Sequence, residues 1–111
     1  MAGFELVHPD SLDAVCEEIS SGDEGIKLVA GGVALSILIK QRLFQPVRLV
    51  GMKTVPGLDK IDLQDKAMKI GSSVLHRTIE TSSIVRQHLP IISETFGEIA
   101  NVRIRTLGTL G

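Results

Sequence analysis

Apolar positions change their spacing several times along the chain, and each change marks an element. Residues 4–8, Phe4-Glu5-Leu6-Val7-His8, alternate weakly and stop at Pro9, which predicts a short strand entering a turn. Asp10 or Ser11 can cap a following helix, in which Leu12, Val15, Cys16 and Ile19 recur at i, i+3, i+4 and i+7. Asp13, Glu17 and Glu18 fall off that stripe, and Gly22 and Gly25 end the helix. Residues 26–30, apolar apart from Lys27, break at Gly31-Gly32 and read as a buried strand running into a glycine loop. Leu35, Leu38 and Ile39 have helical spacing; the run is also short enough for a strand, and a short helix is favoured. Pro46 then opens a second buried strand, Val47-Arg48-Leu49-Val50, so that strand, helix and strand with brief links predict a small α/β unit.

The cluster Thr54-Val55-Pro56-Gly57 is the best internal boundary. Beyond it, residues 58–63 and 67–70 read as a hairpin around Gln64-Asp65-Lys66. Residues 78–88 and 91–100 read as two helices separated by Leu89-Pro90, with Ile92, Phe96 and Ile99 on one face of the second. Residues 106–111, Thr-Leu-Gly-Thr-Leu-Gly, carry no charge and read as a loop.

A length of 111 residues fits one domain or part of one. Aromatic residues make up 3% of the chain, with no Trp or Tyr, which leaves almost no rings for stacking on single-stranded nucleic acid. Twelve basic and thirteen acidic residues give no polybasic footprint for duplex DNA or an anionic membrane. No run approaches the roughly 18 apolar residues of a spanning helix. One cysteine cannot form an internal disulfide, and residues 1–26 carry seven acids and no Lys or Arg, unlike a signal peptide. A cytoplasmic protein is therefore expected. Charge is nevertheless segregated, because residues 27–58 carry Lys27, Lys40, Arg42, Arg48 and Lys53 without an acid, around the first glycine loop. Such a rim suits an anion, although a solvated charged face is the commoner use of this pattern.

Gly31-Gly32 between a strand and a helix lets backbone N–H groups approach phosphate oxygens, with the helix dipole adding to the attraction. The spacing matches neither the dinucleotide fingerprint nor the P-loop, and a glycine pair alone more often makes a tight turn. Gly108-Thr109-Leu110-Gly111 is equally unspecific in isolation. Cys16, on an apolar stripe of an acidic helix, reads as a buried core thiol. His8, His76 and His88 share no ligand spacing and read as surface or capping residues. Asp59, Asp62 and Asp65 alternate with strand residues and read as solvated faces rather than a Ca²⁺ loop. Arg103 and Arg105, two apart on an extended segment, meet either phosphate or water.

The two loops with their flanks are more specific. Ala30-Gly31-Gly32-Val33-Ala34-Leu35, then Lys40-Gln41-Arg42-Leu43, Pro46 and Leu49-Val50, resembles the first flavin loop of the FAD-binding domain of molybdenum hydroxylases. This is the medium subunit of the carbon monoxide dehydrogenase, xanthine dehydrogenase and aldehyde oxidase family. Ile70-Gly71-Ser72-Ser73, the Leu89-Pro90 helix and residues 100–111, Ala-Asn-Val-Arg-Ile-Arg-Thr-Leu-Gly-Thr-Leu-Gly, are similar to that family in the same order.

The resemblance implies an α+β fold of the PCMH type, with a small α/β N-terminal unit over residues 1–57 and the start of an α+β subdomain over 58–111. It implies FAD lying between the two, its pyrophosphate cradled by Ala30, Gly31, Gly32, Val33, Ala34 and Leu35 and by Gly108, Thr109 and Gly111. It assigns no catalytic residue and no metal ligand to this chain. The implied role is electron relay from iron–sulfur clusters in one partner subunit, downstream of a molybdenum cofactor in another, to an external acceptor. Three departures stand out: Val33-Ala34 is apolar where a polar residue is usual, Gly51 replaces a common acid, and Thr106 replaces a usual Asn. The family's second loop continues past the position of Gly111. A frayed second loop, micromolar or poorer FAD affinity, and no activity in isolation are expected of the 111-residue chain. The competing reading is a truncated domain without flavin, serving as an oligomerising or docking module; self-association is expected in either case.

Overall fold

The computed structural model describes residues 3–111, leaving Met1 and Ala2 outside the described residues, and the chain divides into two compact units, Met1–Pro56 and Gly57–Gly111. In the first unit, β1 (Glu5–Val7), α1 (Leu12–Ile19), β2 (Ile26–Val29), α2 (Val33–Lys40) and β3 (Arg48–Gly51) follow in order. The strands form a parallel sheet of order β1-β3-β2, with Leu6 opposite Leu49 and Leu28 opposite Val50. The central β3 is the buried strand, Val50 fully and Leu49 nearly so, and Val15 of α1 and Val55 join them in the core.

Ser11 caps α1, its hydroxyl accepting from the Ala14 N–H at 3.1 Å. Two expectations fail here. β2 is an edge strand with Leu28 exposed, because β3 inserts between β1 and β2. Cys16 is exposed, because α1 turns Val15 and the half-buried Ile19 inward and tucks Glu18 toward Arg48, whose guanidinium it meets at 3.1 Å.

The second unit holds the hairpin β4 (Ile61–Gln64) and β5 (Ala67–Ile70), then α3 (His76–Thr81), α4 (Ser83–His88), α5 (Pro90–Gly97) and α6 (Val102–Arg105). Ile61 pairs with Ile70 and Gln64 with Ala67, so Asp65 and Lys66 alone make the turn. Val74, Ile79 and Val85 form the core, with Ile61, Met68, Ile70, Ile92 and Phe96 packed around them.

The helix expected over residues 78–88 is two helices. Ser82 takes an extended backbone, ψ 125°, and its hydroxyl accepts from the Val85 N–H to start α4. The segment expected to be extended at Arg103 and Arg105 is the short helix α6, begun by the Asn101 side chain accepting from the Ile104 N–H at 3.1 Å. The α+β class holds. No helix among the described residues is long and apolar enough to cross a membrane, and none of their His, Cys, Asp and Glu side chains form a group that could hold a metal ion.

Candidate functional site

The first glycine loop joins β2 to α2. Gly32 is the residue before the helix and takes φ +79°, a left-handed conformation that L side chains rarely adopt. Its carbonyl accepts from the Ser36 N–H at 2.9 Å and so starts the helix. With no side chain to cap the helix, the N–H groups of Gly31, Gly32, Val33, Ala34 and Leu35 find no acceptor among the described residues. Five open amides at the positive end of a helix dipole can attract an anion through backbone alone, an attraction that does not depend on the apolar Val33 and Ala34 side chains.

Beside this loop a groove of ≈ 590 Å³ runs along one face of the parallel sheet, between it and α2. Leu6, Leu49 and Val29 supply its apolar floor, and Leu35 and Ile39 of α2 its wall. Lys40, Lys53 and His8 also line it, and no carboxylate does. The His8 ring lies against Gly51, where a Cβ would fall 2.7 Å from Nδ1. The glycine found where an acid is usual thus leaves room for the imidazole.

The second glycine loop is built differently. The Gly108 N–H donates to the Ile104 carbonyl at 2.7 Å, the Leu110 N–H to Val74 at 2.9 Å and the Gly111 N–H to Ser72 at 2.8 Å. The segment expected to fray is therefore tied down by its own backbone. Gly111 packs so closely that a Cβ would sit 2.9 Å from the Ser72 Cβ. Within 108–111, only the Thr109 N–H lacks an acceptor among the described residues, and the Thr109 hydroxyl lies 3.2 Å from the Gly111 carbonyl as donor.

Two side chains one helical turn apart on α3 hold this segment and the α6 helix before it: His76, which the sequence offers only as a surface or capping residue, and Glu80, which it does not single out. His76 reaches the Thr109 carbonyl through Nε2 at 2.8 Å, so it is not a surface residue. Glu80 accepts from Arg77 at 2.9 Å and from Arg105 Nε at 3.2 Å, while Arg105 Nη1 donates to the Ile99 carbonyl at 2.8 Å. Arg105 thus anchors α6 through Glu80 and the Ile99 carbonyl. The hydrogen bond from Arg77, with the Arg77 and Arg105 charges, holds the Glu80 carboxyl below its usual range against the opposing effect of burial. His88 and the Asp59, Asp62 and Asp65 carboxylates join none of these contacts.

Comparison with known proteins gives these two loops a common context. The family described as FAD binding domain in molybdopterin dehydrogenase matches residues 2–111. The chain is 36% identical, over 97% of its length, to the 6-hydroxypseudooxynicotine dehydrogenase complex subunit alpha of Paenarthrobacter nicotinovorans, of which it covers 36%. It is 30% identical, again over 97% of its length, to the carbon monoxide dehydrogenase medium chain of Hydrogenophaga pseudoflava, of which it covers 38%. Among solved structures, quinoline 2-oxidoreductase from Pseudomonas putida 86 superposes with a TM-score of 0.92 at 29% identity, over 99% of this chain and 38% of that one. The Cu,Mo-containing CO dehydrogenase superposes with a TM-score of 0.94 at 29% identity, over 100% of this chain and 39% of that one. The chain spans well under half the length of these relatives. It belongs to the family of FAD-binding domains of molybdopterin dehydrogenases.

Proposed function

We propose that the chain binds FAD within a molybdenum-containing hydroxylase or dehydrogenase and relays electrons from iron–sulfur clusters in a partner subunit to an external acceptor. The observation that carries this reading is the row of open amides from Gly31 to Leu35, arranged by the left-handed Gly32 beside a groove without carboxylates. A pyrophosphate fits that donor set, because it offers several acceptor oxygens and needs only N–H groups and positive potential. In the second unit, the Thr109 N–H is the corresponding donor; Gly108 and Gly111 serve by lacking a side chain where the backbone packs tightly.

When bound, FAD supplies both one- and two-electron transfer, and the protein has only to hold and tune it. Residues 31–35 bind the phosphates, Ala30 and Gly32 bound the groove, and Leu35 and Ile39 exclude water from it. Partner subunits carrying molybdenum and iron–sulfur centres, and a cytoplasmic location, belong to the same reading. So does self-association, through apolar side chains such as Ile91, 69% exposed, and Leu63, 48% exposed.

Titrating the protein with FAD, ADP and riboflavin tests the phosphate-directed part. ADP should compete with FAD, and riboflavin, which has the ring but no phosphate, should bind at least about tenfold more weakly. Riboflavin binding as tightly as FAD would refute the assignment of residues 31–35.

A further inference from the structure

The second glycine loop leans on a histidine to which the flavin reading gives no role. His76 begins α3, and its Nε2 lies 2.8 Å from the Thr109 carbonyl oxygen. A carbonyl oxygen can only accept, so Nε2 carries the proton in this contact. The other ring nitrogen, Nδ1, is buried without a partner, and a proton there would be a buried donor with no acceptor. The geometry therefore admits one tautomer. The ring is further fixed by Phe96, edge to face with centroids 5.2 Å apart, and by Gly108, where a Cβ would come within 3.4 Å of Cε1 and Nδ1.

The backbone of the same residue completes the arrangement. The His76 N–H donates to the Gly108 carbonyl at 2.8 Å. The Gly108–Thr109 peptide is trans, so its N–H points opposite to that anchored carbonyl, away from α3. The next peptide is fixed at both ends, its Thr109 carbonyl on Nε2 and its Leu110 N–H on the Val74 carbonyl at 2.9 Å. One residue thus decides which way two successive peptides face.

We propose that His76 is the positioning residue of the second glycine loop, turning the Thr109 N–H outward as the loop's single open donor toward an anionic ligand. The proposal rests on the reading of this loop as a phosphate contact and names the side chain that sets its geometry.

The test combines two variants with three readouts on the protein. His76→Phe keeps a ring against Phe96 but removes both nitrogens, and His76→Gln returns an N–H near the place of Nε2. Nitrogen NMR of the unmodified protein should show the His76 ring protonated on Nε2. Exchange of the Leu110 amide should quicken about tenfold in His76→Phe and recover in His76→Gln, as expected for loss and return of one buried hydrogen bond. The dissociation constant for FAD should rise by about the same factor in His76→Phe and recover likewise. A ring protonated on Nδ1, unaltered Leu110 exchange in His76→Phe, or no rescue by Gln overturns the proposal. If the unmodified protein binds no FAD, the flavin reading of the loop fails, while tautomer and exchange still decide the role of His76.

Discussion

Replacing Gly32 by alanine separates what the first loop does for the fold from what it does for a ligand. At φ +79° and ψ 1° the residue is left-handed, and an L side chain there costs about 1–2 kcal/mol of backbone strain. Within the protein the added Cβ meets only Val29 Cγ2, at 3.5 Å, an ordinary contact, so no clash is added to the strain. Stability measured by urea unfolding should therefore fall by about 1–2 kcal/mol. The methyl group also obstructs the open amides. Loss of one or two hydrogen bonds to a charged phosphate, at roughly 1.5–3 kcal/mol for one, weakens FAD binding roughly 10- to 100-fold or more. Gly71→Ala is the converse control, because its Cβ would collide with the Leu58 carbonyl in a segment that the first loop does not include. That variant should lose about 3 kcal/mol or more of stability. Gly32→Ala protein that binds FAD as well as the parent, after losing only stability, would show the loop to be a structural turn.

Other outcomes follow from the ion pairs and the exposed groups. Glu80 is held below its ordinary 4.5 by Arg77 and Arg105, so its contribution is fully present above that value and is lost as pH falls through the lower, folded-state value. Glu80→Gln should therefore flatten the acid limb of urea midpoint against pH, and an unchanged limb contradicts the assignment. Cys16 is exposed on α1, so a thiol reagent should label the folded chain as fast as the denatured chain, within about a factor of ten. Strong protection would return Cys16 to the core. Light scattering across micromolar to millimolar concentration should show a dimer or larger species; a monomer throughout would reject self-association through the exposed apolar residues.

Much of the fold was legible because local signals were strong. The Ser11 cap, the break at Gly31-Gly32, the short apolar run at β3 and the existence of the hairpin each follow from residues near in sequence, although Gln64 pairs with Ala67 and shortens the expected three-residue turn to two. What escaped depends on partners far along the chain. Nothing local tells that β3 inserts between β1 and β2 and leaves Leu28 at an edge. The phase of α1 was misjudged by its apolar stripe, because Arg48, thirty residues away, draws Glu18 toward the sheet. Ser82 divides a run without Gly or Pro, and only its preference for capping hinted at the break. Residues 30–35 stand out by composition and resemblance, whereas the open amides of residues 31–35 depend on the left-handed turn at Gly32, which no local pattern displays. His76 and Glu80 stand four apart on α3, which puts them on one face, yet their partners Thr109 and Arg105 lie 33 and 25 residues away.

An amide-resolved NMR titration of the protein with FAD and with ADP reads directly whether backbone amides of the first loop receive the phosphates of FAD. Both ligands should shift the Gly31, Gly32, Val33, Ala34 and Leu35 amides together and saturably. In the second loop the shift should be larger at Thr109 than at Gly108 or Gly111, whose N–H groups are already bonded within the protein. Saturable FAD binding that leaves the amides of residues 31–35 unshifted would contradict phosphate binding by the first loop.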